Sequence, residues 1–178
     1  MQQQVLDFWF NQLEAKDWFV ANQEVDNAIR EQFGDLLKQA SQAELFTWRV
    51  TPEGRLAEII VLDQFSRNIY RNTPQAFSQD PLALGLAQEA IRLEADKSLT
   101  TIERSFLYMP FMHSESAAIH KQAVVLFSQP GMENNYGFEL KHKLIIDRFG
   151  RYPHRNAILS RESTTEEIDF LSQPGSSF

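Results

Sequence analysis

The chain has 178 residues, a formal charge of −7 at neutral pH and a pI near 5.1, with 43% hydrophobic and 23% charged side chains. That is enough material for one globular domain with a substantial core, and the acidic balance argues against a broad basic face for nucleic acid. The absence of cysteine removes disulfides, thiolate zinc sites and cysteine nucleophiles. No stretch approaches the ~20 apolar residues that span a bilayer. The start of the chain also makes a poor signal peptide, since its short apolar run carries Asp7, so the expected location is the cytoplasm and no membrane partner is expected.

Helix signals recur along the chain and strand signals hardly appear. Val5, Leu6, Phe8, Trp9 and Leu13 suit a short amphipathic first helix. From Asn22 to Phe33 the apolar residues Val25, Ala28, Ile29 and Phe33 repeat at helical spacing, with Gly34 as a break or cap. Ser41 and Glu44 have the form of a capping box opening a short segment through Trp48. Thr51-Pro52 reads as an N-cap followed by proline in the first turn, starting a helix to about Tyr70. Its first half, from Leu56 to Leu62, is apolar nearly all round and should be central.

Asp80-Pro81 repeats the start signal for a helix ending near Asp96. A second capping box at Thr100 and Glu103 leads into a pattern reaching Phe127, which Pro110 should kink or split. After the Pro130-Gly131 turn, a helix from Tyr136 to Phe149 is closed by Gly150. Arg151-Tyr152-Pro153 reads as an extended connection. Ser163 and Glu166 then cap a last helix through Leu171, and Ser172 to Phe178 reads as a flexible tail. The expectation is an all-α single domain over residues 1–171, of eight or nine helices packed as antiparallel pairs.

Three blocks carry chemistry. Asp63, Arg67 and Arg71 are spaced by four and share a helix face, either as an ion-pair ladder or as a ligand site. Arg148, Arg151, His154, Arg155 and Asn156 crowd a turn punctuated by Gly150 and Pro153. Guanidinium forks there would grip a phosphate or carboxylate, or would staple the last helix through acids such as Glu162. His113 and Glu115 follow the Pro110 break and form a candidate acid–base pair, although residues two apart on a helix do not simply touch.

Metal chemistry finds little footing. Glu139-x-x-His142 is half of the di-iron carboxylate pattern without a second copy, and both residues read as solvated. His113 and His120 lie about 10 Å apart along a helix, too far for a simple ligand pair. Nucleotide-loop and hydrolase-elbow motifs are absent, so neither a metal nor a cofactor is expected.

Four blocks taken together resemble a bacterial family, domain of unknown function 924. They are Val5-Leu6-Asp7-Phe8-Trp9-Phe10, Leu62-Asp63-Gln64-Phe65 with Arg67-Asn68-Ile69-Tyr70-Arg71, Pro110-Phe111-Met112-His113-Ser114-Glu115, and Phe149-Gly150-Arg151-Tyr152-Pro153-His154-Arg155-Asn156. The resemblance spans almost the whole chain. It implies a tetratricopeptide-like all-α fold and supplies no activity. The chain departs from the family pattern at Ser66, where proline is usual, and at Ser160, where glycine is usual before Arg161.

The leading functional expectation is a pocket for a small phosphate- or carboxylate-bearing ligand. Arg67, Arg71, Arg148, Arg151, His154, Arg155 and Asn156 would line it, while His113, Glu115 or Asp63 would supply acid–base or orienting capacity. Eleven of the seventeen basic residues are arginine, and five of those sit in two short blocks. The alternative is a helical scaffold that binds a peptide or protein partner, with the Arg/His blocks as internal braces. A metal-assisted hydrolase built on His113 and Glu115 is the third reading. Neither an enzymatic activity nor an oligomeric state is assigned by the sequence.

Overall fold

The computed structural model describes residues 1–176, and within them every regular element is helical. The chain forms two compact units. The first comprises Met1–Arg71 and Gln75–Pro110, the second Asn72–Pro74 and the chain from Phe111 onward.

In the first unit, α1 (Gln2–Asp7) runs into a π turn at Phe8–Gln12, and α2 spans Gln23–Ser41. Asn22 caps α2 by accepting the Glu24 and Val25 amide N–H groups. Gly34 does not end this helix, contrary to expectation. The roughly 1 kcal/mol that glycine costs in a helix is outweighed by burial of Ile29, Phe33, Leu36, Leu37 and Ala40 on one face. Nor does Ser41 open a new helix: its hydroxyl donates back to the Lys38 carbonyl, and a turn leads to the 3-10 segment Phe46–Val50.

Thr51 caps α3 (Pro52–Ile60) as expected, accepting the Gly54 amide N–H, with Pro52 in the first turn. Gly54 is required here for a steric reason, since a Cβ would lie 2.0 Å from the Trp48 carbonyl oxygen. The helix continues through a π turn, Val61–Phe65, into α4 (Ser66–Ile69). From Leu56 to Leu62 the side chains are buried, as the all-round apolar pattern required.

Glu58 is the polar exception within that stretch. Arg49 grips it with two hydrogen bonds of 2.7 and 2.6 Å, which offsets its desolvation. The aromatic heart of the unit is Phe8, Phe33, Phe65 and Trp9, with ring centroids 4.9–6.3 Å apart. Helix α5 (Asp80–Arg92) turns Ala83, Ala87 and Ala90 inward. The Thr100–Glu103 capping box forms and opens α6 (Thr101–Met112). Pro110 sits inside α6 rather than ending it, and the interruption falls at residues 113–116.

The second unit carries α7 (Ala117–Phe127), α8 (Glu133–Phe149) and α9 (Thr165–Leu171). Gly150, at φ +69°, closes α8 in the left-handed region that favours glycine. Tyr152 is extended, and a short 3-10 turn, Pro153–Arg155, follows. The capping box of α9 is Thr164 with Glu167, one residue beyond the expected Ser163 and Glu166. Of the expected tail, residues 177 and 178 lie outside the described residues, while the Ser176 hydroxyl donates to the Leu171 carbonyl. Among the described residues no helix is long and apolar enough to cross a membrane.

Candidate functional site

Asp63, Arg67 and Arg71 belong to the first unit, and the remaining seven candidates to the second.

In the first unit the expected ladder becomes a pair of cross-links between helices. Arg67 reaches back to the Asp63 carbonyl at 2.8 Å and its carboxylate at 3.2 Å, and it also forks onto Asp80 at the start of α5, at 2.8 and 2.9 Å. Asp63 is buried and accepts the Gln64 side-chain amide. Arg71 leaves this group for Asp26 of α2, binding both carboxylate oxygens at 2.6 and 2.7 Å, and Asn68 donates to the same carboxylate. Burial would raise the Asp26 carboxyl, but the Arg71 and Asn68 hydrogen bonds prevail and hold it below the usual carboxylate range.

The second unit is organised around Tyr152, whose side chain is completely buried. Its ring lies 6.2 Å from the ring of His120 on α7, 5.7 Å from His142 on α8 and 5.4 Å from the adjacent His154. The Arg155 guanidinium is laid over the same ring at 4.6 Å and donates to the His113 carbonyl, forty-two residues away in sequence. His113 is also an electrostatic neighbour of His142, so all four histidines of the chain gather in one region. Burial, together with the neighbouring imidazoles of His113, His120 and His154, pushes His142 down to about 3. It is therefore neutral at physiological pH, with Nδ1–H donating to the Phe138 carbonyl.

Glu139 and His142, expected on a solvated face, are both buried. They share the inward side of α8 with Ile145 and Ile146, and that spacing was the signal that could have placed them inside.

The remaining charged groups brace the 150–156 connection. Glu115 is engaged by the backbone of Tyr152 and by Arg161. It accepts the Tyr152 amide N–H at 2.7 Å and a two-pronged bond from Arg161 at 2.7 and 2.9 Å. Burial would raise Glu115, yet Arg161 and the Tyr152 amide hold it below its ordinary value. Arg161 also donates to the Tyr152 carbonyl and to Asn156 Oδ1.

Asn156 passes the network on to Ser163 and Glu167, and Arg151 grips both oxygens of Glu167 as well as the Glu162 carbonyl. The Arg151 hydrogen bond is the main cause of the fall of Glu167 to about 2. Arg148, more exposed, pairs with Glu166 and lies over the Phe149 ring. Arg161, Glu167 and His120 are not among the site residues expected from the sequence, because their partners lie in distant segments. Among the described residues no group of three or more His, Asp or Glu side chains is arranged to hold a metal ion.

The family model for bacterial proteins of unknown function, DUF924, matches residues 5–175, and the chain belongs to that family. It is also similar to the solved structure of a protein of unknown function from Agrobacterium tumefaciens. That likeness covers 96% of each chain, with 37% identity and a TM-score of 0.91. No curated protein matches the sequence.

Proposed function

We propose that this member of the DUF924 family binds a small anion, a phosphate- or carboxylate-bearing metabolite, at the histidine-rich region of its second unit. Arg155 supplies the fixed positive charge, His113 and His154 the adjustable donors or acceptors, and Tyr152 the rigid platform. The observation that carries this reading is the gathering of three imidazoles, from α7, α8 and the 153–155 turn, around one buried ring that also seats a guanidinium, with His113 an electrostatic neighbour of His142. Packing alone favours aliphatic side chains in such a place, because imidazole carries polar nitrogens that must be satisfied.

In this reading Arg148, Arg151 and Asn156 act as braces together with Arg161, and Glu115 orients the connection that presents His154 and Arg155. Asp63, Arg67 and Arg71 serve the same bracing purpose in the first unit, where the two arginines already fork onto Asp80 and Asp26. His113 holds the acid–base capacity, and no reaction is assigned to it.

Titration calorimetry with inorganic phosphate and with succinate tests the proposal, using the parent, Arg155→Gln and the surface control Arg92→Gln. Saturable binding of either anion by the parent and the control, weakened at least tenfold in Arg155→Gln, is the expected result. Equal heats in all three proteins, or no binding to the parent, would overturn it.

A second reading is favoured by the brace geometry itself. Arg67, Arg71, Arg151 and Arg161 each grip a carboxylate with two hydrogen bonds, as expected of a helical scaffold whose charges are structural. That reading predicts no anion response in the same calorimetry.

A further inference from the structure

Glu139 and His120 face each other across α7 and α8, and neither side chain has any solvent exposure. His120 Nδ1 lies 2.7 Å from Glu139 Oε1, and its Nε2 lies 2.8 Å from the Ser114 carbonyl oxygen and 3.2 Å from the Tyr152 hydroxyl. A carbonyl only accepts, so Nε2 carries a hydrogen. The open question is where the proton between Nδ1 and Oε1 resides.

Two arrangements satisfy the contacts. In one, an imidazolium faces a carboxylate. In the other, a neutral imidazole accepts at Nδ1 from a protonated carboxyl. The second Glu139 oxygen, Oε2, is buried and receives no hydrogen bond. Half of a buried carboxylate would then be bare, which is costly, whereas a neutral acid tolerates an unpaired carbonyl oxygen far better. Burial also raises the Glu139 carboxyl above its usual range, against the opposing pull of His120 and the more distant Lys143.

The pair does not stand alone. The Tyr152 hydroxyl donates to the Met112 carbonyl at 2.5 Å, which leaves its oxygen lone pairs facing His120 Nε2–H. From Glu139 the chain of contacts therefore runs through His120 to Tyr152, and from the Tyr152 ring to His154 and Arg155.

We propose that Glu139 and His120 form an uncharged acid–imidazole pair that fixes Tyr152, making both of them positioning residues for Arg155 and His154. Glu139 Oε1–H donates to His120 Nδ1, and His120 Nε2–H is shared between the Ser114 carbonyl and the Tyr152 hydroxyl. The positioning half rests on the anion-binding reading; the protonation half does not.

The experiment has two arms on the full-length protein. In the first, long-range nitrogen–proton NMR at pH 7 reads which His120 nitrogens carry protons. A hydrogen on Nε2 alone is expected, and a doubly protonated ring would overturn the uncharged pair. In the second, phosphate and succinate affinities are measured for Glu139→Gln and Glu139→Leu, with melting temperature as the check on folding.

The Gln amide N–H replaces the acid as donor to Nδ1, so Glu139→Gln should bind within about twofold of the parent, whereas Glu139→Leu should lose at least tenfold. A folded Glu139→Leu with parental affinity, or a Glu139→Gln as weak as the Leu variant, overturns the positioning role. If Glu139→Leu fails to fold, a folded Glu139→Gln weakened tenfold or more still overturns the positioning role, and the NMR arm still decides the protonation. A parent that binds neither anion overturns the positioning role along with the binding reading, while the NMR arm still reports on the pair.

Discussion

Arg161 and Glu115, forty-six residues apart in sequence, are joined by two hydrogen bonds, and between them they hold both the N–H and the carbonyl of Tyr152. With the peptide groups on both sides of its Cα held by one ion pair, Tyr152 is fixed in position. This clamp is what sets the start of the turn that carries His154 and Arg155.

The clamp gives the first prediction. Both side chains are about a quarter exposed, 24% and 27%, so solvent screening reduces their attraction. Arg161→Gln should cost about 1–3 kcal/mol, most of it from leaving Glu115 and the Tyr152 carbonyl short of donors. Urea denaturation would show this as a lower midpoint at an unchanged slope. A change below about 0.5 kcal/mol would mean that the clamp is incidental.

Two serines give the second prediction. Ser160 adopts φ +53° in the left-handed region. Ser160→Gly should relieve that strain and stabilise the protein by about 0.5–1 kcal/mol, after allowing for the extra freedom glycine has when unfolded. Ser66 is fully buried and its hydroxyl has no hydrogen-bond partner. Ser66→Ala should be neutral or stabilising, because it removes an unsatisfied polar group. Melting curves check both variants, and a loss of several degrees in either would contradict the account.

The third prediction concerns acid. Folded His142 stays neutral down to about 3, whereas the unfolded chain titrates near the ordinary 6.5. Between those values the unfolded state binds the extra proton, so the contribution of His142 is complete above 6.5 and is lost as the pH falls toward 3. The steepest slope is about 1.4 kcal/mol per pH unit. His142→Asn keeps a donor for the Phe138 carbonyl and should flatten stability-versus-pH between 6.5 and 4, measured by urea midpoints. An unchanged slope would show that other groups dominate. Glu167 acts lower on the scale, since its depressed carboxyl loses its contribution only as the pH falls from about 4.5 toward about 2.

Much of the fold was legible in local chemistry. The Thr51-Pro52 start, the Thr100–Glu103 box and the Gly150 stop each depend on contacts within a few residues, and each formed. The last helix slipped by one residue because Ser163 and Thr164 both have a glutamate three positions later, and only packing chooses between them. Gly34 misled for the opposite reason, since its helix is held by distant apolar partners that a local rule does not see.

The candidate site was less legible. The arginine blocks announced themselves by density, but the carboxylates that receive them, Asp26, Asp80 and Glu167, come from other segments and look like ordinary surface acids in the sequence. Glu139 and His142 misled because single polar residues at a three-residue spacing look solvated until the Ile145 and Ile146 face is read with them.

The central claim, an anion held by Arg155 and the clustered histidines, is tested most directly by histidine NMR, since the chain has only four imidazoles to resolve. Phosphate or succinate titrated into the parent should shift the His113, His142 and His154 signals along one saturating curve, and the same titration of Arg155→Gln should leave them still. Signals that stay fixed in the parent, or that move equally in Arg155→Gln, would contradict the account.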